Sequence, residues 1–145
     1  MKMELLSLDM HDITRCQNQN RREFMEQFEL EGLHAKYIDA LCEKPGISQE
    51  ALSRRLYVNK STVARQLLTL EKDGWVRREQ DGSDRRILRV FPTQKALQIH
   101  PQIQRMEREW DAFITAGLTE QERQTARLLL RKMKRQADVF MEKRT

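Results

Sequence analysis

Two helix-start signals lie so close together that they constrain the fold of this chain more than any other feature. Ser48 and Asn59 each have a side chain that can accept a hydrogen bond from the first turn of a following helix. Ile47 and Val58 precede them, in the position of a hydrophobic staple. The first helix must therefore be short, and residues 55–57 are left to form the turn. This pattern predicts a helix-turn-helix, whose second helix can enter the major groove of DNA.

The second helix of this pair has two different faces. Val63, Leu67 and Leu70 recur with helical spacing and predict an apolar face that packs inward. Gly74 readily takes the positive φ at which many helices end. The second face is polar, with one cation and no acid, and its residues are Thr62, Arg65, Gln66 and Thr69. A solvated surface helix would fit this pattern too, but the neighbouring helix favours DNA recognition.

Two strand-like segments follow, residues 75–80 and 85–91, and both are rich in apolar β-formers. Between them, the Asp-Gly pair at residues 81–82 is a turn signal for a β-hairpin. Asp84 near the tip is close enough in sequence to pair with Arg86 and fix its direction. Because a guanidinium is planar and weakly hydrated, Arg86 suits a narrow minor groove. The hairpin is therefore interpreted as a wing.

These segments resemble the MarR family of bacterial winged-helix transcription regulators. The matching stretches are residues 46–52, 59–65, 70–76 and 84–86. Asp84 and Arg86 fit the Asp-x-Arg pattern of the family's wing, whereas Pro92 stands where that pattern continues with Leu. Tyr57 stands in the turn, where Gly or another small residue is common, and a bulky residue with positive φ is costly.

The fold class expected from these patterns is mainly α with a small β-wing. Residues 1–145 are interpreted as a single MarR-type domain, with a winged helix-turn-helix lobe at about 33–92. Helices are predicted at 10–30 and 33–43, and two long helices after Thr93, the second opened by a capping box at residues 119–122. Apolar stripes run along both long helices and need a partner surface. By resemblance, segments 1–32 and 93–145 are dimerisation helices of a homodimer.

Charge is distributed unevenly over a chain whose net charge is +5. Residues 1–47 hold six basic and nine acidic groups, residues 48–91 ten and six, and residues 92–145 eleven and seven. The predicted DNA-binding lobe is thus basic, which favours a polyanion. No apolar run approaches the ~20 residues of a membrane span, and no secretory signal is evident, so we expect no membrane partner and a cytoplasmic location.

The sequence contains no phosphate loop, nucleophile motif or zinc-protease motif, so we expect no enzyme activity and no cofactor. The three histidines are far apart in sequence and show no ligand spacing, which argues against a metal site. Cys42 lies on an apolar helix face and is expected in the core. Cys16 has two interpretations: a small buried side chain, or a redox-sensing thiol whose pKa nearby arginines could lower.

We therefore predict a regulator that binds double-stranded DNA at a pseudo-palindromic operator, as a homodimeric repressor. The residues predicted to face the major groove are Ser61, Thr62, Arg65, Gln66 and Thr69. Arg86, held by Asp84, would enter the minor groove, and the predicted phosphate contacts are Lys60, Arg77 and Arg85. By resemblance, a small-molecule effector would bind between the dimerisation helices and the winged helix, and the residues suggested for that pocket are His34, Tyr37 and Trp75. A protein-interaction module on the same scaffold is the rival function.

Overall fold

A computed structural model describes residues 1–144 of the chain. The helices are α1 (Leu6–Met25), α2 (His34–Glu43), α3 (Gln49–Leu56), α4 (Lys60–Lys72), α5 (Gln94–Ile114) and α6 (Glu120–Glu142). Three short strands, β1 (Ile47–Ser48), β2 (Val76–Gln80) and β3 (Leu88–Pro92), form one antiparallel sheet in the order β1-β3-β2. The predicted fold class is confirmed. Among residues 1–144, no helix combines the length and apolar character that crossing a membrane requires.

Both predicted N-caps of the helix-turn-helix are present. The Ser48 hydroxyl accepts from the Ala51 backbone N–H at 3.1 Å, and the side-chain Oδ1 of Asn59 accepts from the Thr62 backbone N–H at 2.8 Å. Each bond satisfies one of the N–H groups that a helix start leaves without an intrahelical partner. These caps fix where α3 and α4 begin, and therefore how short the turn between them must be.

The turn itself contains a left-handed residue. Tyr57 ends α3 with φ 56° and ψ 38°, and the backbone N–H of Val58 donates to the carbonyl of Ser53 at 3.1 Å. Ser53 is buried between the helices, and its hydroxyl donates to the Glu50 carbonyl at 2.9 Å. The tight turn predicted from sequence is thus made at the cost of positive φ in a bulky residue.

The core of the segment Met1–Arg108 lies beneath α4 and the sheet. Val63, Leu67 and Leu70 of α4 are fully buried, as their spacing predicted. They pack with apolar side chains of α2, α3, the sheet and α5: Ile38, Leu41, Leu52, Val76, Val90 and Ile103. Burial of these three α4 residues turns the polar face of the same helix outward.

The wing differs from the predicted hairpin. In the register Gln80 pairs with Leu88, so residues 81–87 form a seven-residue loop and the second strand begins at Leu88. The predicted hairpin is present, but its second strand begins three residues after the expected residue 85, and Gly82 does not take the positive φ of a two-residue turn. The Asp81 side chain closes the loop instead, as described below. β1 joins this hairpin through the pair Ile47–Val90 and was not predicted.

The N-terminal helix also departs from its predicted limits. It begins at Leu6 rather than residue 10, and a 3-10 turn, Glu26–Phe28, follows it. The chain reverses at Glu29, which has φ 57°, so Gly32 is not the residue that breaks the helix. A Cβ built on Gly32 would lie 2.9 Å from the backbone nitrogen of Arg22. The role of Gly32 is therefore close approach to the backbone of α1.

The chain separates into two compact units, Met1–Arg108 and a second unit that begins at Glu109. α5 is continuous from Gln94 to Ile114, with Pro101 in its interior. The predicted capping box opens α6: the Thr119 hydroxyl accepts from the Glu122 backbone N–H, and the Glu122 carboxylate accepts from that of Thr119. All residues of α6 are described, and none of them is buried. The single-domain assignment stays a prediction, and Thr145 lies outside the described residues.

The left-handed turn generates a stability prediction. We expect Tyr57→Gly to be more stable than Tyr57→Ala by about 1 kcal/mol, because only glycine takes positive φ without steric cost. Alanine is the matched control, since both variants lose the same aromatic ring and differ only in the Cβ. Equilibrium denaturation of the two proteins measures the difference. Equal stabilities would contradict a strained turn.

Candidate nucleic-acid interface

The outward face of α4 is exposed and free of acids, as predicted. Its exposed residues are Lys60, Ser61, Arg65, Leu68, Thr69 and Lys72, with Thr62 half-buried at its margin. Leu68 is 55% exposed in the middle of this face, and the sequence prediction did not include it. Its position three residues after Arg65 was the signal that could have placed it there. The face can thus offer hydrogen bonds, positive charge and one apolar contact to a ligand.

Local hydrogen bonds orient the polar side chains of this face. Arg65 Nη2 donates to the Thr62 hydroxyl at 3.1 Å, and the Ser61 hydroxyl donates to the Asn59 cap at 2.9 Å. The Thr69 hydroxyl donates to the Arg65 carbonyl at 3.3 Å. Arg65 makes no ion pair with any residue in 1–144. Its charge therefore remains available to an external acceptor.

Gln66 differs from its neighbours on α4. It is half-buried, and its Oε1 lies 2.7 Å from Nε2 of His34 at the start of α2. His34 is buried, and its Nδ1 accepts from the backbone N–H of Glu31 at 3.1 Å. Gln66 is consequently tied to the protein interior at the edge of the exposed face. Its predicted contact with the major groove stays a prediction.

A half-buried arginine joins the wing to both helices of the helix-turn-helix. Arg78 on β2 donates through Nη2 to Glu71 of α4 and through Nη1 to Gln49 of α3, each at 3.1 Å. Its Nε also reaches the Glu71 carboxylate, at 3.4 Å. Because one planar guanidinium spans three elements, the sheet and the two helices have a fixed relation.

Asp81 organises the wing loop. Its Oδ2 accepts from the backbone N–H groups of Ser83 and Asp84 at 3.0 and 3.1 Å and from the Ser83 hydroxyl at 2.6 Å. Its Oδ1 pairs with Nε of Arg89 at 2.9 Å, and Arg89 also donates to the Gly46 carbonyl. The Ser83 and Arg89 hydrogen bonds lower the pKa of Asp81 far below its usual range. Asp81 and Arg89 were missed from sequence, although an Asp before Gly-Ser is a signal for a side-chain-capped turn.

The two arginines of the wing tip, Arg85 and Arg86, differ in whether they form an ion pair. Arg86 donates to both carboxylate oxygens of Asp84, through Nε at 3.1 Å and Nη2 at 3.0 Å, and its side chain is 90% exposed. The Arg86 side-chain hydrogen bond holds the pKa of Asp84 below its usual value. Arg85 has no ion pair with any residue that the structure describes. The predicted Asp84–Arg86 pair is therefore present.

Two further predicted DNA contacts are exposed but paired with acids. Arg77 on β2 forms an ion pair with Glu79, and its guanidinium lies 4.3 Å from the centre of the Phe91 ring. Lys60 at the start of α4 is 3.3 Å from Glu50. Residues of the helix-turn-helix and of the wing line one cavity of about 290 Å³. They are Ser48, Gln49, Glu50, Lys60, Arg86, Ile87, Leu88 and Arg89. The fold thus brings the start of α4 and the wing to one basic surface.

The three residues suggested for an effector pocket lie in the core. His34, Tyr37 and Trp75 are each at most 4% exposed. Burial raises the pKa of Tyr37, and Trp75 is covered by Phe28 and by Lys95, whose Nζ lies 4.1 Å from the centre of the Trp75 ring. A ligand could reach these side chains only if the surrounding helices moved apart. Their role in an effector pocket stays a prediction.

An open cleft lies instead between α1 and α2. Its volume is about 1220 Å³, and its walls are Asp12, Arg15, Cys16, Asn18, Gln19, Arg22, Glu26, Leu30, Glu31, Gly32, Leu33 and Lys36. Cys16 is exposed in this cleft, so the expectation of a buried Cys16 is wrong for the single chain. Cys42 is half-buried against the core, and burial raises its pKa to about 11.

His34 and His100 each bond one side chain of another helix. His100 on α5 has Nε2 2.8 Å from Asp39 Oδ1 on α2, and His34 is bonded to Gln66 as described. Within residues 1–144, no three His, Cys, Asp or Glu side chains converge in a group that could hold a metal ion.

Comparison with known proteins gives one consistent family. Residues 35–88 match the sequence model of the MarR family. The uncharacterized HTH-type transcriptional regulator YybA of Bacillus subtilis (strain 168) is 29% identical over 99 residues, 68% of this chain. The match covers 66% of YybA, so the chain spans just under two thirds of the length of that curated relative.

Two solved structures are similar over nearly the whole chain. A MarR protein from Peptoclostridium difficile has a TM-score of 0.93 and 26% identity, covering 100% of this chain and 97% of that one. A MarR family transcriptional regulator from Listeria monocytogenes, complexed with a 26mer DNA, has a TM-score of 0.87 and 28% identity. That match covers 92% of this chain and 89% of the Listeria chain.

Asp81 is expected to order the wing loop measurably. Asp81→Ala should speed amide hydrogen exchange at Ser83 and Asp84, because both N–H groups lose their acceptor. Glu79→Ala is the control, since it removes a nearby exposed acid and leaves the loop bonds in place. Because the pKa of Asp81 is lowered, the protection should persist as pH falls through about 4, where an ordinary Asp takes up a proton. NMR exchange rates that are alike in wild type and Asp81→Ala would contradict this role.

Proposed function

The chain belongs to the MarR family, and from that premise we propose that it is a sequence-specific DNA-binding transcriptional regulator. It acts as a homodimeric repressor on a pseudo-palindromic operator, and its DNA target implies a cytoplasmic location. The observation that carries the proposal is the exposed, acid-free face of α4 beside a wing whose Arg86 is held outward by Asp84. The DNA complex of the similar Listeria regulator supports it.

The exposed face of α4 and the wing suit different grooves of a DNA duplex. The Arg65 guanidinium forms no ion pair within residues 1–144 and lies on a helix of a width that the major groove admits. Its geometry matches the two acceptors of guanine. Arg86 projects from a narrow loop, which suits the minor groove flanking that site. Lys60, Arg77 and Arg85 surround these residues and would contact phosphates. Ion pairs of Lys60 and Arg77 with nearby acids would have to exchange for phosphate on binding.

Exposed apolar surface supports the homodimer. In the second unit, large apolar side chains of α6 are exposed, and they include Leu128, Leu129, Leu130, Val139 and Phe140. In the first unit, the early turns of α1 expose Leu6, Leu8 and Ile13. Most of the stability of a helix in a protein comes from packing of its apolar face, and no residue of α6 is buried. A second copy of the chain, related by two-fold symmetry, provides the missing surface.

The effector of the proposed repressor would bind in the cleft between α1 and α2. This cleft borders the first turn of α2, where His34 contacts Gln66 of α4. A ligand that favours one position of α2 would therefore shift the equilibrium between positions of α4. The same cleft contains the exposed Cys16, which favours thiol oxidation as a second means of regulation. Operator release by peroxide that persists in Cys16→Ser would contradict that alternative.

Binding to DNA upstream of the chain's own gene tests the function. Footprinting should protect two half-sites about one helical turn, roughly 10 bp, apart, with an affinity that falls steeply with salt. A single protected half-site would contradict the homodimer. Absence of salt-dependent, sequence-specific binding would overturn the regulator and favour a protein-interaction module.

Arg65→Ala should cost roughly 1–3 kcal/mol of operator binding and relax the preference at one base pair in each half-site. The expected loss follows from the position of Arg65 at the centre of the exposed face, where no acid in residues 1–144 neutralises its charge. Lys2→Ala is the control, because it removes one positive charge from the exposed N-terminal segment. An unchanged base preference in Arg65→Ala would contradict its assignment to the major groove.

The two wing arginines should differ because only Arg86 is held by Asp84. Both arginines lie in the loop before β3, so the alternation of side chains along a strand does not place them on opposite faces. Arg86→Ala should weaken binding most on operators with A·T-rich flanks, where the minor groove is narrow. Asp84→Ala should give a milder form of the same loss, since the charge remains.

Arg85→Ala is the matched comparison for this test. It should weaken binding about equally on every flank and lower the salt slope by about 1. The measurement is the affinity of the three variants for operators with A·T-rich and with G·C-rich flanks, each at two salt concentrations. Equal losses for Arg86→Ala on both flanks would exclude minor-groove readout.

A further inference from the structure

Buried His34 contacts the inner side of α4, and the tautomer of its ring follows from the hydrogen bonds of its two nitrogens. Nδ1 of His34 is 3.1 Å from the backbone N–H of Glu31, which can only donate a hydrogen bond. Nδ1 must therefore be the ring nitrogen that accepts, and the proton of the neutral imidazole lies on Nε2. His34 is 3% exposed, so water does not offer that N–H an alternative partner.

This tautomer determines which way the Gln66 amide faces. Nε2–H of His34 needs an acceptor, and the Gln66 atom 2.7 Å away is accordingly the amide oxygen, not the amide nitrogen. The NH₂ group lies on the other arm of the same planar amide. Gln66 is half-buried on α4, one turn after Thr62 and next to the exposed Arg65.

We propose that His34 is a specificity-determining positioning residue that turns the Gln66 amide oxygen inward, so that the NH₂ group is the part of this side chain offered to DNA. This inference rests on the proposed function, because it requires α4 to enter the major groove. A free glutamine pairs with adenine by donating to N7 and accepting from N6 at the same time. The bond to the buried His34 ring directs the Gln66 oxygen toward the protein interior, so this oxygen is not placed to accept from N6 while the NH₂ group donates to N7. It selects instead a base edge that offers acceptors, such as guanine N7 and O6 or thymine O4.

The central experiment measures base preference, which a loss of stability alone would not change. Wild type, His34→Phe and Gln66→Ala are each used to select binding sites from a randomised double-stranded DNA library. Phenylalanine keeps an aromatic ring in the core and removes the Nε2–H donor. His100→Phe is the matched control, because His100 is a half-buried histidine whose Nε2 contacts Asp39 of α2 and not α4. Thermal unfolding of every variant is followed in parallel.

Wild type should discriminate by about tenfold at one base pair per half-site in favour of acceptor edges, and His34→Phe should lose most of that discrimination. The preference read by Arg65 should remain in His34→Phe, and His100→Phe should match wild type throughout. In a Gln66→Ala background, His34→Phe should cause no further change in base preference. This double-mutant comparison separates positioning of Gln66 from a general structural role.

Two results would overturn the proposal while the proposed function stands. One is an unchanged base preference in His34→Phe, and the other is a change that persists in the Gln66→Ala background. Failure of wild type to enrich any sequence would instead overturn the proposed function. ¹⁵N NMR of the histidine ring tests the structural premise without DNA: it should show the proton of His34 on Nε2, and a proton on Nδ1 would overturn the assignment.

Discussion

The recognition surface depends on the burial of one side of α4. Val63, Leu67 and Leu70 are completely withdrawn from water, so rotation of the helix about its axis would expose apolar area at roughly 25 cal/mol per Å². That cost fixes which residues face outward. It is the reason that Arg65 and Thr69 can remain exposed together without any direct support from the core.

Polar contacts then supply the finer orientation that apolar packing cannot give. Arg78 fixes the wing against α3 and α4, Asp81 closes the wing loop, and Asp84 holds Arg86. Each is a charge-assisted contact with a geometry that apolar burial does not have. Arg78 and Asp81 thus position the candidate site although neither is among its predicted DNA-binding residues.

Much of this arrangement could be predicted from sequence because the signals were local. Ser48, Asn59 and Thr119 cap helices through contacts three residues away, and the α4 stripe follows from helical period alone. The wing loop could not be predicted in the same way, because Asp81 contacts Arg89 across the hairpin. The burial of His34 and its bond to Gln66 were equally out of reach, since they join residues 32 positions apart.

The exposure of α6 has a consequence for the protein in the cell. If α6 finds its apolar partner on a second copy, folding of that helix and assembly of the dimer form one equilibrium governed by mass action. Dilution then lowers the folded fraction as well as the number of dimers. The number of copies of the protein in the cell would then determine how much of it is folded and dimeric. Occupancy of the operator would rise more steeply than in direct proportion to protein concentration.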